Sequence, residues 1–170
     1  MCLECNGYSY EEAMQALDLQ ITIDGFALMQ VQGDGETWCY TIGLLENFGH
    51  PELALLDISI SKQHKYMDKL VQSIIDNGEL SPLAVLELGV ECVEVHDNHL
   101  RSDLFGRWVA RHLRFPRPGE FLQVVPPRSA FCDCHANAIR RLDRPGPLPP
   151  LPQVWAPPNR AERRRKGRGR

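Results

Sequence analysis

The fold is decided by two adjoining stretches, Trp38-Cys39-Tyr40-Thr41-Ile42-Gly43-Leu44 and Asn47-Phe48-Gly49-His50-Pro51-Glu52-Leu53. The first is rich in aromatic and β-branched residues, which predicts a buried strand. The second predicts a Gly-His-Pro-Glu loop that leads directly into another apolar run. Together they should bring an imidazole and a carboxylate, those of His50 and Glu52, close to each other at the end of a sheet.

Further strands are predicted on both sides of this block. The predicted strands are Phe26–Val31, Thr37–Leu44, Leu53–Ile58, Leu83–Leu88, Glu91–His96 and Glu120–Val125. The turn Gly33-Asp34-Gly35 joins the first two strands into a hairpin, because glycine readily adopts the positive φ angles that such turns need. The third strand is apolar enough to lie in the centre of the sheet.

Three helices alternate with these strands. The first begins at Ser9, which has capping-box spacing to Glu12, and ends near Thr22 before Asp24-Gly25. The second is capped by Ser61 and ends at Asn77-Gly78, and the third spans about Ser102–Leu113. About three helices and five to six mostly antiparallel strands predict a single α+β domain.

The composition changes near residue 142. Residues 145–158 contain seven prolines, and residues 160–170 contain seven basic residues. We therefore predict a globular domain over residues 1–142 and a disordered Pro-rich linker and basic tail over residues 143–170. The tail could contact nucleic acid or an acidic partner through its charge, whereas residues 1–135 carry a net charge of −11 and disfavour nucleic acid.

Composition also narrows the cellular setting. No run of 18 apolar residues predicts a membrane span, and the N-terminal residues do not resemble a secretory signal. We therefore expect a cytoplasmic protein that does not associate with membranes. In that compartment six cysteines favour metal ligands, core residues or redox thiols over a disulfide framework.

Close thiol pairs near the two ends of the domain suggest a structural zinc site. The candidate ligands are Cys2, Cys5, Cys132, Cys134 and His135. Zinc takes four such ligands in a tetrahedron, and a site of this kind would tie the N-terminal residues to the C-terminal segment. The alternatives are two unrelated surface pairs, a redox pair, or an N-terminal Cys2 nucleophile exposed by removal of Met1.

The strand and loop around His50 form the predicted ligand-binding site. Its residues are Trp38, Tyr40, Thr41, Gly43, His50 and Glu52. Gly43 should open space beside the strand end, and Pro51 should hold His50 at its rim. His50 and Glu52 are then the catalytic candidates, with His50 as general acid or base. The alternative is a turn residue whose ring binds a backbone carbonyl, beside a solvated Glu52.

A second polar group, His96-Asp97-Asn98-His99, ends a predicted strand. Two histidines and an aspartate could bind a divalent metal. The simpler interpretation is a helix entry, in which Asn98 caps the following helix.

The chain resembles a widespread bacterial family of domains of unknown function that is common in actinobacteria. The resemblance rests on the start Met1-Cys2-x-x-Cys5, the strand Trp38-x-Tyr40-Thr41-x-Gly43-Leu44 and the loop Gly49-His50-Pro51-Glu52-Leu53, with weaker likeness in Val93–Val95 and Leu122–Val125. It extends over about residues 1–128. The Tyr-Thr-x-Gly-Leu strand is also distantly similar to flavin-reductase barrels, which makes flavin a second candidate cofactor after zinc.

Two functions are compatible with these features. The first is a small regulatory domain that binds a small molecule or a protein, with a structural zinc site. The second is an enzyme, flavin-dependent or hydrolytic, that uses His50 as its acid–base residue. Because the sequence lacks a convincing nucleophile, oxyanion loop or phosphate-binding loop, the binding domain is our preferred interpretation.

Overall fold

A computed structural model describes residues 9–32, 36–131 and 140–145 of the chain. Three sequence predictions lie outside these residues: the Gly33-Asp34-Gly35 turn, the candidate zinc ligands, and the tail from residue 146 onward. They stay predictions.

One mixed sheet of five strands forms the centre of the described fold, in the order β1-β2-β3-β5-β4. The strands are β1 (Ala27–Gln32), β2 (Thr37–Ile42), β3 (Glu52–Leu56), β4 (Glu91–Glu94) and β5 (Phe121–Val125). β3 pairs in parallel with β5, and the other three pairs are antiparallel. The predicted α+β class, the hairpin pairing of the first two strands and the central position of the third are therefore confirmed.

Six α-helices surround the sheet in the described part of the chain. They are α1 (Tyr10–Asp24), α2 (Leu44–Phe48), α3 (Ile60–Asn77), α4 (Pro82–Leu88), α5 (Asp97–Leu100) and α6 (Gly106–His112). Short 3₁₀ helices at Asp103–Phe105 and Arg128–Ala130 accompany them. The sequence predicted three helices because α2 and α5 are single turns, which apolar periodicity does not reveal.

The predicted strand Leu83–Leu88 is wrong, because this segment forms α4. Ser81 caps the helix by accepting a hydrogen bond from the Leu83 amide, and Pro82 occupies its first turn. Gly89 ends it in the left-handed conformation at φ +63°. These local signals determine a helix, since proline is well suited to the first helical position and glycine to the residue after the last.

Two helix boundaries also differ from the prediction. α3 begins at Ile60 after Ser59, so that Ser61 lies inside the helix rather than at its cap. The predicted helix Ser102–Leu113 is divided into the 3₁₀ turn Asp103–Phe105 and α6, since Ser102 caps only the shorter element.

The two faces of the sheet bury separate apolar clusters. The first core packs α1, α5 and α6 against the sheet and includes Tyr40, Trp108 and Leu142. The second core packs α3 against the opposite face and includes Cys39 and Phe131. The strand β2 presents alternate residues to the two cores, because Tyr40 belongs to the first core and Cys39 to the second.

Among the described helices, none combines the length and the apolar character that crossing a membrane requires.

Candidate functional site

A buried carboxylate organises the connection between β2 and β3. The side chain of Glu52 is fully buried at the start of β3. Its Oε2 accepts hydrogen bonds from Thr41 Oγ1 at 2.7 Å and from the Leu44 amide at 3.3 Å. Its Oε1 accepts from the Gly43 amide at 2.8 Å and the Leu45 amide at 3.3 Å. Glu52 therefore caps α2 from a distant position in the sequence, and we call residues 41–52 the Glu52 corner.

Gly43 explains why α2 is capped by Glu52 and not by the residue that directly precedes the helix. It precedes α2 at φ +112°, a conformation that favours glycine, and it has no side chain with which to cap the helix. A Cβ atom at this position would lie 2.7 Å from the Gly25 carbonyl oxygen. The expectation that Gly43 opens free space is therefore wrong, since the backbone of residues 25–26 fills that space.

Burial raises the pKa of the Glu52 carboxyl above its ordinary value, because the charged form loses its hydration. The hydrogen bonds from Thr41 and from the three amides favour the charged form and offset part of that rise. The alternative of a solvated Glu52 is wrong, because none of its side chain is exposed. This is a costly group to bury, and its bonding partners all lie within the corner itself.

The corner also fixes the ring of His50. His50 is 9% exposed, and its amide donates to the Leu44 carbonyl at 3.3 Å. Its Nδ1 lies 2.7 Å from the carbonyl oxygen of Pro51, so the part of the alternative in which the ring binds a backbone carbonyl is confirmed. A carbonyl only accepts, so Nδ1 must carry the proton of this hydrogen bond. In the neutral ring Nε2 is then a bare acceptor, and it has no hydrogen-bond partner among the described residues.

The other predicted site residues are engaged in the protein interior. Trp38 Nε1 donates to the Leu104 carbonyl at 3.0 Å, and the Arg107 amide donates to the Tyr40 hydroxyl at 3.1 Å. Burial raises the pKa of Tyr40 to about 12. Thr41 donates to Glu52 and accepts from the Leu53 amide at 2.9 Å. These side chains support the corner from within, and only His50 among them offers an unpaired polar atom near the surface.

A network on α6 that the sequence did not reveal braces α2 from outside. Arg111 contacts both Asp18 and Glu46, and Nε2 of His112 lies 2.7 Å from Oε1 of Glu46. The His112 ring stacks on Trp108 at 3.8 Å between centroids. The contacts join α1, α2 and α6, and their separation of up to 93 residues leaves no local sequence signal.

The described residues contain no cluster of three His, Cys, Asp or Glu side chains that could hold a metal ion. His96 and Asp97 form a plain helix entry, in which His96 Nδ1 accepts from the Asn98 amide at 3.2 Å. The cap is thus His96, where the sequence suggested Asn98. Of the described thiols, Cys39 is fully buried and burial raises its pKa to about 12, which makes it a poor nucleophile.

An open groove of about 550 Å³ lies between α3 and α4. Its lining includes Asp68, Gln72, Asp76, Ser81, Leu83 and Glu87. None of its lining residues belongs to the Glu52 corner, so the groove is a separate surface feature.

The fold and the Glu52 corner together define the class of this protein. It is an α+β domain whose central strand, β3, begins with a buried glutamate that caps a helix. A family model described as "Domain of unknown function (DUF4262)" matches residues 20–130, well over half of the chain. The chain belongs to this family, and the expected membership in a family of unknown function is confirmed. No curated protein and no solved structure matches the chain. The matched residues contain the whole Glu52 corner.

Proposed function

We propose that this protein is a small ligand- or partner-binding domain, with the Glu52 corner as its binding site and His50 as its main polar contact. The observation that carries the proposal is the state of the His50 ring. Pro51 holds Nδ1 as a donor and leaves Nε2 without a partner among the described residues. A ligand that donates an O–H or N–H group would satisfy this atom.

The energetic cost of the corner supports the same conclusion. Burying a carboxylate without an ionic partner destabilises a domain, and a neutral capping residue would hold a short helix at a lower cost. Groups with perturbed pKa values and unfavourable burial concentrate at functional sites. Glu52 is therefore a positioning residue in our proposal: it fixes α2, and α2 fixes the loop that bears His50.

A second part of the proposal concerns a structural zinc ion. We propose that Cys2, Cys5 and Cys132, with either Cys134 or His135, hold one structural zinc ion. The chain must pass from Phe131 in the second core to Arg140 beside the first core within eight intervening residues. A metal site in that crossing would stabilise it without an apolar core of its own. Elemental analysis of the full chain and of Cys132→Ser tests this, and zinc-free wild-type protein would contradict it.

An enzyme that uses His50 as acid or base is the second candidate. It is favoured by the same bare Nε2, which is the atom that a general base requires. The discriminating observation is the absorption spectrum of protein purified without added cofactor. A flavin spectrum would favour the enzyme, and colourless protein that carries one zinc ion would favour the binding domain.

The binding site is tested by NMR on the ¹⁵N-labelled full chain. A library of small metabolites with hydroxyl or amide donors serves as the probe. We expect binders to shift the amide signals of residues 40–52, and we expect His50→Ala to abolish these shifts while costing about 1 kcal/mol of stability. His64→Ala, at an exposed histidine of α3, is the matched control. Binders that shift only the α3–α4 groove, or that bind His50→Ala unchanged, would contradict the proposal.

A further inference from the structure

A second buried polar side chain lies on β5, next to the central strand β3, and it forms hydrogen bonds with the backbone of a distant segment. Gln123 of β5 is 2% exposed. Its Nε2 donates to the Arg140 carbonyl at 2.7 Å, and its Oε1 accepts from the Leu142 amide at 2.5 Å. The His96 amide completes the set by donating to the Leu142 carbonyl at 2.7 Å. Such contacts recognise a peptide segment through its main chain, whatever its side chains.

A side chain of the same segment fills an apolar pocket. Leu142 is fully buried and belongs to the first core. Burial of one leucine stabilises an interface by about 2 kcal/mol. The pocket and Gln123 together form what we call the strap slot, and residues 140–143 are the strap that fills it.

Charged pairs at the edge of the slot define which side chains it accepts. Arg140 contacts Glu36 at 2.7 Å, and Arg141 contacts both oxygens of Glu91 at 2.8 and 3.1 Å. Exposed ion pairs of this kind add little affinity, but a wrong charge opposite either glutamate would be repelled. The slot therefore disfavours acidic residues at these two positions and takes a leucine after them.

Slot and strap come from different parts of the chain. The slot residues from Glu36 to Gln123 lie within the family match over residues 20–130, and the strap lies beyond its end. Both hydrogen bonds of the Gln123 amide go to the strap. Without an occupant, the Gln123 amide would lose both of these partners, and the apolar surface that Leu142 covers in the first core would be exposed to water, which is unfavourable. The slot is therefore stabilised by an occupying segment, and in this chain that segment lies beyond the residues that the family model matches.

We propose that the strap slot is a peptide-binding site, which this chain fills with its own residues 140–143 and which accepts an Arg-Arg-Leu segment of another protein in their place. This goes beyond the proposed function, because the slot shares no residue with the Glu52 corner. The strap competes as a tethered ligand. A partner must therefore displace the strap to bind.

The test uses the full chain with Leu142→Asp, which disables the tethered strap, and a fluorescent peptide with the sequence of residues 138–145. We expect the peptide to bind the variant at least about tenfold more tightly than it binds wild type, because wild type retains its competitor. A control peptide with aspartate in place of its leucine should not bind. Leu142→Asp combined with Gln123→Leu should bind the original peptide at least about tenfold more weakly than Leu142→Asp alone, since the backbone contacts are lost.

If Leu142→Asp unfolds the chain, the peptide should refold it and raise its melting temperature, whereas the control peptide should not. Three results would overturn the proposal. They are a folded variant that does not bind the peptide, an unfolded variant that the peptide does not refold, and equal binding of the peptide to the variant and to wild type. Light scattering measures whether a second copy of this chain, and not another protein, fills the slot. A wild-type dimer that Leu142→Asp converts to monomer would assign the slot to a second copy of this chain and overturn the assignment to another protein.

Discussion

The Glu52 corner and the strap slot both satisfy backbone groups in the protein interior, the first with a carboxylate and the second with a neutral amide. In each, one buried polar side chain satisfies backbone groups that would otherwise be orphaned. Glu52 offers only acceptors and collects three amides and a hydroxyl from residues 41–45. Gln123 uses one donor and one acceptor, which match the carbonyl of Arg140 and the amide of Leu142. The charged side chain suits a helix start, where only amides need partners, and the neutral amide suits a segment that presents both a carbonyl and an amide.

The difference in sequence separation matters as much as the difference in charge. Glu52 lies 11 residues from its farthest partner, so the corner is complete within one continuous segment of the family domain. Gln123 lies 17 and 19 residues from its partners, in a segment beyond the family match. The corner is therefore contained within the family domain, whereas the slot joins that domain to a later segment of the chain, and this is the contact that we propose a partner replaces.

The largest effect should come from removing the acceptor in the corner. We expect Glu52→Ala to lower the free energy of unfolding by about 3–5 kcal/mol, because it leaves three buried amides and the Thr41 hydroxyl without their partner. Urea denaturation measures this directly. Glu79→Ala, at an exposed glutamate, should change stability by less than about 0.5 kcal/mol. A loss below about 1 kcal/mol in Glu52→Ala would show that water replaces the carboxylate and that the corner is not rigid.

The slot should be the next most sensitive region. We expect Leu142→Ala to destabilise the chain by about 2–4 kcal/mol, since it leaves a cavity in the first core. Leu86→Ala, at a leucine of α4 that is 77% exposed, is the control and should have little effect. If the two variants lose equal stability by urea denaturation, residues 140–143 do not pack on the sheet, and the comparison between corner and slot fails.

Substituting the corner carboxylate by its neutral isostere should give the smallest effect and a distinctive pH dependence. In Glu52→Gln an NH₂ group opposes an amide N–H, and we expect a loss of about 1–2 kcal/mol near pH 4. The pKa of Glu52 is raised in the folded state, so the folded protein binds its proton more tightly than the unfolded chain does. Wild-type stability therefore falls relative to Glu52→Gln as the pH rises from about 4.3 through the raised pKa.

The measurement is the difference in unfolding free energy between the two proteins across that pH range. Other titrating groups are common to both chains and cancel in the difference. A gap that widens with rising pH would mean that the four hydrogen bonds outweigh burial and that the pKa of Glu52 is lowered.

Local sequence patterns predicted most strands of the sheet, but they did not predict that Glu52 and Gln123 are buried. The hairpin, the central strand after Pro51 and the helix ends at Gly25 and Gly78 follow from turn glycines and apolar runs. The six mostly apolar residues of Leu83–Leu88 fit the period of a strand as well as that of a helix, and the signals that decide for the helix are the Ser81-Pro82 start and Gly89.

The burial of Glu52 and Gln123 could not be read from their own identity, because both residue types are usually exposed. Their strand positions held a partial signal. Glu52 directly precedes the fully buried Leu53–Leu56 run, and Gln123 interrupts an otherwise apolar strand between Leu122 and Val124. The partners of Gln123, at residues 140 and 142, depend on tertiary packing that no local pattern describes.

The most direct test of the proposed binding site is the tautomer of His50. A long-range ¹H–¹⁵N correlation spectrum, recorded on the full chain at a pH where the ring is neutral, distinguishes the protonated ring nitrogen from the bare one. His50→Ala assigns the signal. We expect a protonated Nδ1 and a bare Nε2, as the contact with the Pro51 carbonyl requires. A protonated Nε2 would mean that the corner does not present a free acceptor, and it would contradict the proposed role of His50.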